Sequence, residues 1–151
     1  DELVDTLQRL HERVAPDPRG ELSEGEVIDT GPIGTRQGSA VRKLNALLSV
    51  AAQGRAIVAV QDPLRLSDAS EPEPDLMLLR PRADFYAQAH PGPADVLLLI
   101  EVSDTTAAYD RHIKLDLYAR HGITEVWIVD LDHDVVHFFR RSDSFWLSSF
   151  R

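Results

Sequence analysis

Two acidic residues of this sequence stand at the ends of short apolar stretches, where neighbouring strands of a sheet could bring them together. Glu101 follows five consecutive apolar residues, 96–100, a pattern typical of a strand buried on both faces. Asp75 precedes a second apolar run, residues 76–79. If the two strands are antiparallel neighbours, the start of the first lies beside the end of the second. Two adjacent carboxylates repel each other, and a divalent cation, a nearby Lys or Arg, or a shared proton stabilises such a pair.

A lysine is expected beside this pair. The pattern after the second strand predicts a helix from about Ala107 to His121. Ile113 and Leu117 fall on the side that would pack on the sheet, which puts Lys114 at the edge of the buried face. Of the 16 basic residues only Lys43 and Lys114 are lysine. A compact ammonium group in a chain that otherwise uses arginine favours a specific chemical role.

The alternative to a chemical role for Lys114 is a purely structural ion pair. Side chains alternate along a strand, so Leu97, Leu99 and Glu101 are expected on one face, and a carboxylate buried there needs a partner. Lys114 bridging two carboxylates would be such a partner without any catalytic duty. Its stem could equally lie along the core with a solvated head. The three residues alone do not separate these interpretations.

Composition excludes several classes of protein. There are no cysteines, which rules out disulfides and thiolate zinc sites. No apolar stretch approaches the roughly 20 residues of a membrane span, and no signal-like run lies near the start, which indicates a cytoplasmic protein. The net charge of −9 argues against simple binding of duplex DNA, although a metal ion bound by clustered carboxylates offsets part of that charge locally.

The pattern along the chain predicts an α/β (α+β) fold in a single domain, residues 1–151. Helices are predicted over 1–14 and from Thr35 or Ser39 to about Ala52, the latter with a packing stripe of Val41, Leu44, Leu47 and Leu48. Further strands are predicted around 26–29, 55–60, 64–66, 135–139 and 145–150. The last two would form a C-terminal β-meander.

The arrangement resembles the PD-(D/E)XK nuclease superfamily, which has the restriction-endonuclease-like fold. It is more closely similar to the bacterial Uma-two family of restriction endonuclease-like proteins. The resemblance covers roughly residues 20 to 140. It rests on Pro74-Asp75 before an apolar run, Ile100-Glu101-Val102-Ser103, Asp110-Arg111 with Lys114, then Tyr118, Gly122 and Glu125-Val-Trp-Ile-Val-Asp130, and upstream on Gly25-Glu26.

The resemblance implies a mixed sheet flanked by helices and a metal-dependent endonuclease that hydrolyses DNA phosphodiester bonds. Asp75, Glu101 and the backbone carbonyl of Val102 would bind Mg²⁺ or Mn²⁺, with Glu26 as an additional ligand. In the wider superfamily the lysine stands two residues after the Glu, where this chain has Ser103, so Lys114 would take over that role from the next helix. Asp110 and Arg111 would support it, and a homodimer would suit cleavage of both strands.

Gln37 departs from the family pattern, which is expected to show His at this helix start. Together with the acidic net charge, it keeps open a second hypothesis, a nuclease-fold protein that no longer cleaves and serves as a binding or dimerisation module.

Overall fold

The computed structural model describes residues 34–104, 108–133, 135–142 and 145–150. The predicted helix over 1–14 and the predicted strand around 26–29 lie outside these residues. The described chain contains the following helices and strands in order: α1 (Thr35–Ala52), β1 (Ile57–Val60), β2 (Leu76–Leu79), β3 (Val96–Ser103), α2 (Ala108–Arg120), β4 (Glu125–Asp130), β5 (Val135–Ser142) and β6 (Phe145–Phe150).

The six strands form one mixed sheet in the order β1-β2-β3-β4-β5-β6. β3 and β4 are parallel, and every other neighbouring pair is antiparallel. Parallel neighbours require a crossover, which α2 supplies, and antiparallel neighbours are joined by shorter turns. β4, β5 and β6 form the predicted C-terminal meander, and the predicted mixed sheet flanked by helices is confirmed.

α1 packs on one face of the sheet through a stripe at helical spacing. Its buried residues are Gly38, Val41, Leu44, Leu48 and Ala52, and Leu47 is half-buried. They share a core with alternate residues of the central strands, including Leu98, Ile100 and Val102. Leu48 lies at the centre of this layer, where truncation to Ala would cost about 2–5 kcal/mol. The helix ends at Gln53, whose left-handed backbone closes the last turn.

α2 packs on the opposite face, with a side that matches the sequence prediction only in part. Within residues 113–120, Leu115 and Tyr118 are buried, and the half-buried Leu117 packs against the same core. The expected docking through Leu117 is therefore confirmed, whereas Ile113 is 48% exposed and its predicted docking is wrong. Rotating the helix to bury the larger Tyr118 gains more apolar contact area, and its hydroxyl finds a partner inside the core, as described below.

A β-bulge in β3 changes which side chains share a face. Leu79 pairs with Val96 but Leu78 pairs with Leu98, so Leu97 is the extra residue. Leu97 packs with the core beneath α1, whereas Leu99 belongs to the core beneath α2. The expectation that Leu97 shares a face with Leu99 and Glu101 is wrong, because the alternation shifts at the bulge.

The apolar pattern around residues 64–66 does not form the predicted edge strand. Leu64 and Leu66 are buried, and Arg65 between them is exposed, so the alternation is real. The segment is an extended loop whose backbone N–H groups donate to the carbonyls of Pro72, Pro91 and Ser70.

Among the described residues, no helix is long and apolar enough to cross a membrane.

Candidate metal centre

Asp75 and Glu101 lie side by side where β2 begins and β3 ends. The antiparallel register pairs Leu76 with Ile100, so the preceding Asp75 stands opposite Glu101. Each of the two acidic residues is only 8% exposed. The structure thus brings together the two carboxylates that the sequence places at strand ends, and burial gives both a strong need for partners.

The carboxylate of Asp75 accepts hydrogen bonds from neutral donors. The backbone N–H of Val102 donates to its Oδ2 at 2.8 Å. The amide Nε2 of Gln37, in the first turn of α1, lies 3.5 Å from the same oxygen, and Nε2 of Gln61 lies 3.5 Å from Oδ1. None of these three donors carries a formal charge, so each of them stabilises the Asp75 carboxylate through its dipole.

Gln61 is a neighbour of the site that the sequence analysis missed. It follows β1, and its backbone N–H donates to the carbonyl of Asp75 at 3.0 Å. Its φ of 53° is in the left-handed region, which residues other than Gly rarely adopt. Such strained backbone concentrates at functional sites. No signal in the sequence around Gln61 indicates this conformation.

The carboxylate of Glu101 is surrounded by different chemistry. The hydroxyl of Tyr118 donates to Oε2 at 2.5 Å, and Nζ of Lys114 lies 3.7 Å from the same oxygen. Lys114 and Tyr118 are four residues apart on α2, so one helix face delivers both groups. The structure thus places Lys114 beside the carboxylate pair, as the sequence predicts. The side chain of Lys114 is 52% exposed.

Burial raises the pKa of Glu101 to about 7, because desolvation penalises the ionised form. The ammonium of Lys114 and the hydrogen bond from Tyr118 act in the opposite direction, while the neighbouring Asp75 raises the pKa further. Burial and the adjacent Glu101 also raise the pKa of the Tyr118 hydroxyl, which therefore stays a proton donor. Near neutral pH, Glu101 is poised between its two protonation states.

The donor set fits a hard divalent cation. Two adjacent buried carboxylates offer oxygen ligands, and a cation there would relieve the repulsion that raises the pKa of Glu101. Mg²⁺ commonly binds through one or two carboxylates and keeps several waters. Within the described ranges there is no group of three or more His, Asp or Glu side chains that could hold a metal ion, so Asp75 and Glu101 are the carboxylates that this part of the chain offers here.

The other predicted site residues divide into two groups. Gln37 and Val102 belong to the site by direct contact. Glu26 lies outside the described residues. Asp110 and Arg111 are part of the α2 backbone, but their side chains lie outside the described part of the chain. Their supporting roles remain predictions.

The basic residues at the start of α1 and in the segment after β2 lie in different parts of the molecule. Arg36 lies at the start of α1 near the site, where Nη2 donates to the carbonyl of Leu131 at 2.5 Å and Nη1 lies 3.5 Å from Asp132. Arg80 and Arg82 follow the far end of β2. Arg36 therefore lies at the end of the sheet that carries the carboxylates, and Arg80 lies at the opposite end.

Together, a mixed sheet with helices on both faces and an acidic pair at the strand ends define a nuclease-type fold. Five chains among solved structures match this one. One of them, from Anabaena variabilis, is titled "a putative nuclease belonging to DUF820". It has a TM-score of 0.64 at 15% sequence identity, and the match covers 85% of this chain and 73% of that one. At this identity, the likeness shows the fold.

A family model establishes the particular family. The model of the Uma2 family, described as "Putative restriction endonuclease", matches residues 4–150. The chain belongs to the Uma2 family, as the motifs in the sequence predict. No curated protein matches the chain.

Proposed function

We propose that this protein is a divalent-metal-dependent endonuclease that hydrolyses DNA phosphodiester bonds. The observation that carries the proposal is the juxtaposition of Asp75 and Glu101 with Lys114 against Glu101. Membership of a family described by its nuclease function and the nuclease-type fold support it. The proposal also takes residues 1–151 as one domain of a cytoplasmic homodimer.

Asp75, Glu101 and the carbonyl of Val102 would hold Mg²⁺ or Mn²⁺, with Glu26 as an additional ligand. Such an ion supplies Lewis-acid chemistry, acidifying a water molecule and neutralising charge on the scissile phosphate. The chain's own contribution is orientation. Val102 N–H and Tyr118 O–H each fix one carboxylate in place, so neither has to reorganise when substrate arrives.

Lys114 would act directly on the reacting groups. Its ammonium group is half-exposed beside Glu101, so it can contact solvent and substrate while remaining anchored. From there it can orient the attacking water by hydrogen bonding and counter the negative charge that develops on the phosphate. Asp110 and Arg111 would support the start of its helix.

The net charge of −9 limits how the chain would bind DNA. Contacts to phosphate would have to be local. Arg36, which contacts Leu131 and Asp132 just after β4, is a basic residue at this end of the sheet. The affinity for DNA should therefore fall less steeply with added salt than that of a basic nuclease, because fewer counterions are released on binding.

Cleavage of supercoiled plasmid in Mn²⁺ and in Mg²⁺ tests the proposal. The wild-type protein should nick or linearise the plasmid, and Asp75→Asn or Glu101→Gln should abolish this. Asp68→Asn is a suitable control, because Asp68 is an exposed residue of the loop before β2 and pairs with Arg65. Equal cleavage by the wild type and Asp75→Asn would overturn the assignment.

One observation favours the second hypothesis, a nuclease-fold binding or dimerisation module without activity. The Gln37 amide occupies hydrogen-bonding positions on both Asp75 and Val102, as a structural network would require. In that case Asp75→Asn should lower thermal stability equally with and without metal, and the wild type should show no cleavage.

A further inference from the structure

The side chain of Gln37 contacts two of the atoms that the proposed metal site would use. Its Nε2 lies 3.0 Å from the carbonyl oxygen of Val102 and 3.5 Å from Oδ2 of Asp75. One amide group thus bridges a backbone carbonyl and a carboxylate that belong to different strands. It ties the first turn of α1 to the acidic end of the sheet.

The chemistry of the two neighbours fixes the orientation of this amide. A carbonyl and a carboxylate can only accept hydrogen bonds, so the NH₂ end of Gln37 must face them. Rotating the amide would turn its own carbonyl oxygen toward two other oxygens, which repel it. The NH₂ group therefore satisfies the same acceptors that a cation would satisfy, with two partially positive hydrogens in place of an ion.

A divalent cation bound between these two oxygens would take the position of the amide group. Oxygen ligands stand roughly 2.0–2.6 Å from Mg²⁺ or Ca²⁺, closer than the amide nitrogen lies to either oxygen. An ion at ligand distance from Asp75 and Val102 would come too close to the NH₂ group and meet its positive end. Gln37 is only partly buried and its side chain has three rotatable bonds, so it can withdraw toward solvent.

We propose that Gln37 is an internal competitor of the metal ion, which sets the metal concentration at which the site loads. This inference rests on the proposed metal-dependent function. Binding of the ion breaks both hydrogen bonds of the amide, so the measured affinity is lower than the ligands alone would give. The site would stay closed by its own amide at low metal concentration and load only when the ion is abundant.

Gln61 provides a contrast within the same site. Its amide reaches the other oxygen of Asp75, Oδ1, and comes from β1 rather than α1. Because this contact is made to Oδ1, Gln61 need not leave when an ion binds Oδ2 and the Val102 carbonyl. Competition is thus assigned to one of the two amides.

The test is isothermal titration of Mn²⁺ into the wild type, Gln37→Ala and a matched control, Gln88→Ala. Gln88 is an exposed amide in the loop between β2 and β3, at the end of these strands opposite the site. Gln37→Ala should bind Mn²⁺ about tenfold more tightly than the wild type, because two hydrogen bonds no longer have to break. Gln88→Ala should match the wild type, and adding Asp75→Asn should weaken Mn²⁺ binding by about a hundredfold in each protein.

Thermal unfolding gives a second readout. Without metal, Gln37→Ala should melt at a lower temperature than the wild type, since it loses the link between α1 and β3. Saturating Mn²⁺ should raise its melting temperature by more than it raises that of the wild type. A structural role alone would lower both melting temperatures and leave the metal-induced rise unchanged.

The outcomes separate this inference from the proposed function. If Mn²⁺ binding depends on Asp75 but Gln37→Ala binds equally or more weakly, the metal site stands and the competition is refuted; weaker binding would make Gln37 a ligand. If neither the wild type nor Gln37→Ala binds Mn²⁺ at millimolar concentration, the metal site itself fails, and the inference with it.

Discussion

The two halves of the site hold the same kind of group by different means. In the amide half, Asp75 receives hydrogen bonds from Val102, Gln37 and Gln61, all of them neutral. In the lysine half, Glu101 accepts a hydrogen bond from the neutral hydroxyl of Tyr118 and forms an ion pair with the ammonium group of Lys114. Both carboxylates are buried to the same extent, so the difference lies in the donors.

This difference indicates a division of labour. Lys114 already offsets part of the charge of Glu101, whereas the charge of Asp75 remains available to a cation. The amide half should therefore govern how strongly metal binds. The lysine half should govern the proton balance and the reaction itself.

The largest expected effect lies in the lysine half. Lys114→Ala should reduce Mn²⁺-dependent plasmid cleavage by about a thousandfold, the scale of a positioned group that acts on proton transfer and charge. Binding of Mn²⁺, measured by titration, should stay nearly intact. Lys43→Ala, which removes the other lysine from the exposed side of α1, is the control. Unchanged cleavage in Lys114→Ala would remove Lys114 from the mechanism.

The second effect concerns pH. The pKa of Glu101 is about 7 in the folded protein and 4.5 in an unperturbed side chain. Between these values the folded state binds more protons than the unfolded state. The contribution of Glu101 to the free energy of unfolding is therefore fully present below pH 4.5 and is lost as the pH rises through about 7. Without metal, urea unfolding should show this loss as roughly 3 kcal/mol between pH 5 and pH 8.

Glu101→Gln is the matched variant for this measurement, because it keeps the shape and removes the ionisation. It should lose the corresponding part of the pH dependence. Saturating Mn²⁺ favours the ionised carboxylate and should also flatten the wild-type profile. A wild type and variant with parallel profiles would show that Glu101 is not the titrating group.

The third effect compares the two carboxylates as metal ligands. Asp75→Asn should weaken Mn²⁺ binding by about a hundredfold, since even an outer partner of a ligand is commonly worth 10- to 100-fold. Glu101→Gln should weaken it less, about tenfold, because the neighbouring Lys114 already reduces the attraction of that carboxylate for a cation. Titration calorimetry at pH 8 measures both. A larger loss in Glu101→Gln would reverse the assignment of the two halves.

The smallest effect concerns the tyrosine that orients Glu101. Tyr118→Phe leaves a buried carboxyl oxygen without one donor and should cost about 1–2 kcal/mol of unfolding free energy. Tyr86→Phe is the control, because the Tyr86 hydroxyl donates to the carbonyl of Arg80 on an exposed loop. If Tyr86→Phe proves the more destabilising change, the hydrogen bond to Glu101 contributes little.

Much of the fold could be predicted because its signals are local. Continuous apolar runs mark β3 and β4, the helical stripe marks α1, and the turn positions mark the meander. The docking face of α2 could not be predicted in the same way. Its periodicity allows either Ile113 or Tyr118 to face the sheet together with Leu117, and the buried partner for the Tyr118 hydroxyl favours Tyr118.

The site residues at the ends of strands could be predicted from the sequence, and the site residue in a loop could not. Asp75 and Glu101 follow from the antiparallel pairing of two strands, and Lys114 from its position on the next helix. Gln61 depends on a left-handed backbone angle and on the pairing of β1 with β2, and neither leaves a mark on residue type. The sequence indicates that Gln37 departs from a family pattern, but its hydrogen bond to the Val102 carbonyl is visible only in the structure.

The bulge at Leu97 has a consequence for insertions and deletions. The pairs that follow the bulge, from Leu98 to Ile100, fix the face on which Glu101 lies, and the bulge separates them from the pairing of Val96 and from the preceding loop. A peptide tag inserted after Gln88 should leave the acidic pair assembled. A single residue added between Leu98 and Glu101 should turn that carboxylate to the opposite face, away from Asp75.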